Sequence, residues 1–412
     1  MLYEHQLKII TDNRKKTGIF LGTGSGKTLI ALSLARGKTL IIAPKTQVED
    51  KNWERENIKS NLNVDITVIS KEAFKKEHES LKNFETIIID EAHTCLGVTP
   101  NIRYRNKKPE PKTSQLFLDI NNYIKKNSPD RLYLITATPI RSPMTVWGAS
   151  ELLGFNWNWY EFRNTFYTNI KIPNRDIWVP KNTDEAKNRL ARAVNLLGYT
   201  GKLQDYLDVP DQTYRTDFLE LTKEQINTLK DIQLEYPDPI VLVGKKHQIE
   251  NGVLSKDEYS NNIRLKNKKI DAILNYCYEF SKIIVFVKYI AQIEYIYDEL
   301  KKEGINVYKM TGSTKDRGEL LNKLSKSDNY VFLVQSQISS GWELPECRVI
   351  IFASMSYSIV DRIQGEGRIL RANNLKKNLF ISLIAKGGVD EAVYKSINNK
   401  KDFSERIYAE RS

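Results

Sequence analysis

Short apolar runs of strand length, separated by stretches of helical spacing, recur at both ends of this chain. The first third carries KTLIIAP (38–44), VDITVIS (64–70), FETIIID (84–90) and RLYLITAT (131–138). The last third repeats the habit with KIIVFVK (282–288), NVYKMTG (306–312), YVFLVQS (330–336), RVIIFAS (348–354) and LFISLIAK (379–386). Strands alternating with helices imply a parallel sheet wrapped by helices. AQIEYIYDELKKEG (291–304) reads as one such helix, closed by Gly304 as a left-handed cap. The stretch 151–265 differs: it is rich in aromatics, Asn and charge, and its readable periodicity is helical, as in EAKNRLARAVNLLG and KEQINTLKDIQLEY. PNIRYRNKKPEPKTS (100–114) is polar, basic and proline-bearing, so it reads as a loop. No tandem repeat is visible. At 412 residues two α/β units joined by a helical middle are expected, with bounds near 1–150, 151–265 and 266–412.

The net charge of +12 predicts attraction to polyanions, nucleic acid first among them. Cys95, Cys277 and Cys347 lie far apart without a C-x-x-C pair. Neither a disulfide framework nor a zinc site is therefore expected, and an intracellular, reducing, cytoplasmic setting fits. The opening MLYEHQLKII lacks the layout of a signal peptide, and no apolar run reaches the length of a membrane span. His5, His78 and His247 read as surface residues. Trp157, Trp159, Phe162 and Phe166 are spaced like a packing face.

FLGTGSGKTLI (20–30) resembles a phosphate-binding loop with a defect. The pattern G-x-x-x-x-G-K-[ST] wants glycine at position 21, where Leu21 stands. Gly22, Gly24 and Gly26, with Thr23 and Ser25 between them, still allow backbone N–H groups to approach phosphate oxygens. Lys27 would pair with the outer phosphates, and Thr28 would hold Mg²⁺ by its hydroxyl. A helix starting near Lys27 would put its positive end at the anion. In IIIDEAH (87–93) a buried strand pushes Asp90 and Glu91 to its exposed end. Asp90 can take Mg²⁺ through water and Glu91 can polarise an attacking water, the two needs of phosphoryl transfer. In QGEGRILRA (364–372), Arg368 and Arg371 are three apart and share a helix face, as guanidiniums aimed at a γ-phosphate would.

Together these residues resemble superfamily-two helicases, and most closely the Swi/Snf-type DNA translocases. That family opens its first motif with a non-glycine residue, which accounts for Leu21. The resemblance runs along almost the whole chain. YEHQLKII (3–10) is similar to the glutamine motif, which implies that Gln6 reads adenine. APKTQVEDKNWERE (43–56), VISKEAF (68–74), DEAH (90–93), ITATPIRSPMTVWGASELLGF (135–155) and WYEFRNTFY (159–167) follow in family order. NKKIDAILNYC (267–277), TGSTKDRGELLNKL (311–324), VQSQISSGWELPECRVIIF (334–352), DRIQGEGRILR (361–371) and the tail 386–407 continue it. Trp342 departs from the pattern, standing where a small residue is usual. The paired arginines usual before the LPxK-like segment are missing from YLDVPDQTY (206–214), and the basic segment 100–113 has no family counterpart.

The resemblance implies two RecA-like parallel-sheet domains in tandem with a helical insertion between them, and ATP with Mg²⁺ as ligands. The first domain would supply Gln6, Lys27, Thr28, Asp90 and Glu91, and the second Gln364, Arg368 and Arg371, so hydrolysis would require domain closure. His93 would couple the nucleotide site to the other motifs. Lys45, Ser70, Lys71, Thr136, Thr311 and Ser339 would contact nucleic-acid phosphates without reading sequence. The expected activity is ATP-driven translocation on double-stranded DNA. The alternatives are a strand-separating DNA or RNA helicase and, in another class, a nucleotide-gated clamp without turnover.

Overall fold

Strand side chains alternate between the two faces of a sheet, so a continuous apolar run is stable only where both faces are covered. The structure, a computed structural model, shows that arrangement twice. It describes residues 2–105, 108–172, 175–207, 211–255, 262–338, 341–370, 377–399 and 403–404. The chain divides into two units, Met1–Leu207 and Asp208–Ser412.

In the first unit, β1 (Lys16–Leu21), β2 (Thr39–Ala43), β3 (Ile66–Ser70) and β4 (Thr86–Ile89) precede a hairpin of β5 (Val98–Arg105) and β6 (Lys108–Thr113). After β7 (Arg131–Ile135) comes a second hairpin, β8 (Tyr167–Ile172) with β9 (Arg175–Pro180), and then β10 (Gly198–Gly201). Six of these strands form one parallel sheet in the order β10-β1-β7-β4-β2-β3. Leu40, Ile42, Ile87 and Ile89 face a core completed by Phe117, Ile120, Leu152 and Leu190 from the helices. Ile41, Ile88, Tyr133 and Ile135, one residue out of step, face Ile30, Leu34 and Trp53 on the other side.

The second unit has β11 (Gln212–Leu219), a short pair of β12 (Val253–Leu254) with β13 (Ile263–Arg264), then β14 (Lys282–Val287), β15 (Val307–Met310), β16 (Tyr330–Gln335), β17 (Val349–Phe352) and β18 (Asn378–Ala385). Its sheet is also six-stranded and parallel, in the order β11-β18-β17-β14-β16-β15. Ile284, Phe286, Phe332 and Ile350 pack on one face, and Ile283, Val285, Leu333 and Ile351 on the other. Two parallel-sheet units, each wrapped by helices, make this a tandem RecA-like α/β fold. The stretch 151–265 contributes its helices to both units: Trp159–Phe166 and Asp184–Leu197 to the first, Lys223–Glu235 and Pro239–Glu250 to the second.

Two expectations need correction. The segment 100–114 is not a loop but largely the β5–β6 hairpin. A two-stranded ribbon has free edges, where the prolines of PEP cost no ladder bond. Its base is fixed by Ser114 N–H to Gly97 C=O at 2.6 Å and by the buried guanidinium of Arg163, which reaches Pro100 C=O at 3.5 Å. Second, His5 and His247 are buried rather than on the surface, because each finds polar partners far away in sequence. The aromatic face stands as expected. Phe162 and Phe166 are buried, with Trp157 and Trp159 packed against the same core.

Candidate nucleotide site

Open α/β sheets bind ligands outside the carboxyl ends of their strands. Three of the expected elements lie at that edge of the first sheet. The glycine turn follows β1, Asp90 and Glu91 follow β4, and Thr136 follows β7, the strand between them.

Leu21 explains the shifted glycines. It is the last residue of β1 and is fully buried, so it serves the core rather than the turn. The turn begins at Gly22, whose N–H donates to Gly201 C=O at 2.8 Å. Gly24 and Gly26 have φ of 78° and 77°, a region costly to residues with a β-carbon. At Gly26 a β-carbon would also lie 2.2 Å from Gln6 Nε2. Lys27 opens the helix Lys27–Leu34, and its Nζ donates back to Gly22 C=O at 2.8 Å, which sets the ammonium over the turn. Ser25 Oγ donates to the same carbonyl at 2.8 Å. Thr28 is half-buried on the first turn of this helix.

Gln6 is 3% exposed and grips the turn, its Nε2 donating to Ser25 C=O at 3.0 Å while its Oε1 accepts from Tyr3 N–H at 2.9 Å. His5 Nε2 lies 3.1 Å from the same Ser25 carbonyl. The sequence reading missed His5, because its partner is twenty residues away. The pattern E-H-Q at the start of a helix was its only signal.

Asp90 Oδ1 accepts from Glu91 N–H at 2.8 Å and Oδ2 from Trp53 Nε1 at 3.3 Å. Withdrawal from water, and then the neighbouring Glu91 carboxylate, pushes Asp90 up to about 6. Burial also acts to raise Glu91, but His93, Lys27 and Lys71 outweigh it and hold the group below its usual value. One carboxylate of the pair is thus kept ionised beside Lys27. His93 Nδ1 lies 3.3 Å from Glu91 Oε2 and 2.8 Å from Thr136 Oγ1, and Thr136 Oγ1 accepts Thr138 N–H at 3.0 Å. His93 therefore joins the acidic pair to the end of β7.

The remaining expected contacts are scattered. Lys45 is exposed, 3.5 Å from Glu49. Ser70 Oγ caps the helix Lys71–Glu77 by accepting Ala73 N–H. Lys71 and Thr136 are buried. In the second unit, Thr311 N–H donates to Thr314 Oγ1 at 2.9 Å, and its hydroxyl pairs with Ser313 at 3.0 Å. Gln364 is buried on the helix Ile359–Glu366. Arg368 falls in the turn after this helix rather than on it, so it does not lie on the helix face expected from the sequence. It donates from Nε to Gln364 C=O at 2.8 Å and from Nη1 to Trp342 C=O at 2.6 Å. Ser339 and Arg371 lie outside the described residues.

Trp342 has a structural reason for its size. Its ring packs against Phe286 and Phe332, with centroids 6.1 and 5.5 Å away, and its indole N–H donates to Ile338 C=O at 2.8 Å. The arginine and the tryptophan loop brace each other.

Residues 266–373, about a quarter of the chain, match the family model of the helicase conserved C-terminal domain. The second unit thus contains a segment of helicase C-terminal type. Among solved structures, the helicase domain of Hef from Pyrococcus furiosus is similar over 96% of this chain and 97% of that one, at 17% identity and a TM-score of 0.49. No curated protein matches the chain. Among the described residues no helix is long and apolar enough to cross a membrane, and no cluster of three or more His, Cys, Asp or Glu could hold a metal by itself.

Proposed function

We propose that this protein is a nucleic-acid-dependent ATPase that couples ATP hydrolysis to movement along double-stranded DNA. The observation that carries the proposal is the meeting of a glycine turn, Lys27 and the Asp90–Glu91 pair at the carboxyl edge of one parallel sheet. The helicase C-terminal match in the second unit supports a motor rather than a simple nucleotide-binding module.

The donor set fits ATP with Mg²⁺. Gly22 to Gly26 would offer backbone N–H groups to phosphates, and Lys27 a cation. Asp90 and Thr28 would hold the metal, whose charge would offset the burial and the neighbouring carboxylate that push Asp90 up. Bound Mg²⁺ supplies charge neutralisation at the phosphates. Glu91, kept ionised, would orient the attacking water, and His93 would hold Glu91 in place. Turnover would also need Gln364, Arg368 and Arg371 of the second unit. Contacts to nucleic acid would be to phosphates, from exposed groups such as Lys45, and hence salt-sensitive and sequence-independent.

The test is ATP hydrolysis by the full chain with duplex DNA, single-stranded DNA and RNA supplied separately. Duplex DNA should stimulate most, and Glu91→Gln should lower the stimulated rate by about 100-fold or more. Stimulation by RNA alone would overturn the choice of track. A Glu91→Gln protein as fast as the parent would overturn the site.

A further inference from the structure

Lys71 follows β3 directly, where the motif pattern calls for a contact to the tracking strand. The structure turns its side chain the other way. Lys71 is 7% exposed, and its Nζ donates to Glu91 C=O at 3.1 Å and to Thr94 Oγ1 at 2.5 Å. Thr94 Oγ1 in turn donates to Glu91 C=O at 2.9 Å, and Thr94 N–H reaches the same oxygen at 3.0 Å. Three donors from two residues therefore converge on one carbonyl.

That carbonyl belongs to a residue in an unfavourable conformation. Glu91 has φ 43° and ψ 52°, in the left-handed region that a β-carbon disfavours. Such a backbone persists only where its surroundings impose it. Locking the carbonyl fixes the peptide plane that follows Glu91, and with it the direction of the Glu91 carboxylate toward His93. An ammonium buried on this carbonyl is not presented to a phosphate outside.

We infer that Lys71 is a positioning residue for Glu91. From the end of β3 it holds the strained turn that aims the carboxylate, and so ties the segment 68–74 to the hydrolytic step. The inference rests on the ATPase reading given above.

The experiment uses the full chain at saturating ATP and duplex DNA. Lys71→Met keeps the stem and removes the donors. It should lower kcat about 10- to 100-fold, because small misplacements of a reacting group cost that much. KM for ATP and the DNA concentration for half-maximal stimulation should stay within about threefold, since neither binding surface loses a contact. In a Glu91→Gln background the same change should alter the residual rate less than about twofold, because the group it positions is gone. A general loss of structure would still lower that rate. Thr94→Val should lose rate that Thr94→Ser keeps; if Lys71→Met does not fold, this pair decides, and equal rates overturn the inference. An unchanged kcat with weaker DNA binding and a shallower salt dependence would also overturn it and make Lys71 a phosphate contact. An active parent with an unimpaired Lys71→Met variant refutes this inference alone. A parent with no polymer-stimulated ATPase refutes the functional reading and this inference with it.

Discussion

Trp342→Ala removes the one tryptophan of the second unit from between Phe286 and Phe332. The side chain is 6% exposed, so nearly its whole surface leaves the core with it. Truncating a buried Trp costs about 3–5 kcal/mol, and the Ile338 carbonyl loses its indole donor for about 1 more. Trp342→Phe keeps an aromatic ring against both neighbours and loses the N–H, so about 1–2 kcal/mol is expected. Because Arg368 Nη1 donates to the Trp342 carbonyl, loosening this loop should also release the arginine and slow ATP turnover. Hydrogen exchange of the β14 and β16 amides reports opening of this unit in the full chain. The two variants should rank Ala below Phe, with the Ala variant losing several kcal/mol of protection. Protection within about 1 kcal/mol of the parent for Trp342→Ala would show that the packing argument is wrong.

Three further outcomes follow from the same geometry. Lys269→Met leaves Asp390, Asn251 and Ala353 without the Nζ that lies 2.6 to 2.7 Å from each, and should destabilise the chain by about 3–5 kcal/mol in urea unfolding. Burial pushes Glu250 up to about 7, so the native state keeps a proton that the unfolded chain releases. Its contribution is greatest below about 4.5, where both states hold the proton, and is lost as pH rises through about 7. Burial drives His247 down to about 4, which works in the opposite sense between about 4 and 6.5. Glu250→Gln leaves the histidine term unopposed. Its stability should rise with pH over that window, by on the order of 3 kcal/mol relative to the parent, as followed by thermal unfolding. Gly26→Ala sets a β-carbon against Gln6 at a φ of 77° and should weaken ATP affinity by about tenfold or more in equilibrium binding.

The interior strands were legible because burial on both faces leaves a continuous apolar run, as in IIII-like stretches of β2 and β4. The edge strands were not. β10 is GYTG, and β11 exposes much of QTYRTDFL, so neither carries the apolar signal that the reading relied on. The β5–β6 hairpin was hidden by its charges and prolines, which an isolated ribbon tolerates. The glycine turn and the acidic pair stood out in the sequence because phosphoryl-transfer chemistry would require fixed residue types at fixed spacing, and the fold brings both to one edge of the first sheet. Side-chain direction was not readable. Lys71 and Thr136 sit in segments that suggest nucleic-acid contacts, yet both turn into the protein, toward partners that only the fold brings near. His247 read as a surface residue for the same reason, since Asp390 is 143 positions away.

Under the proposed function, ATP turnover would depend on residues from both units of the chain. The most direct test of this dependence compares Lys27→Ala and Arg368→Ala with the parent, for ATP binding and for the hydrolysis rate at saturating duplex DNA. Lys27→Ala should weaken nucleotide binding, whereas Arg368→Ala should still bind ATP yet hydrolyse it about a thousandfold more slowly. An Arg368→Ala protein that turns over ATP as fast as the parent would show that hydrolysis does not need the second unit's arginine.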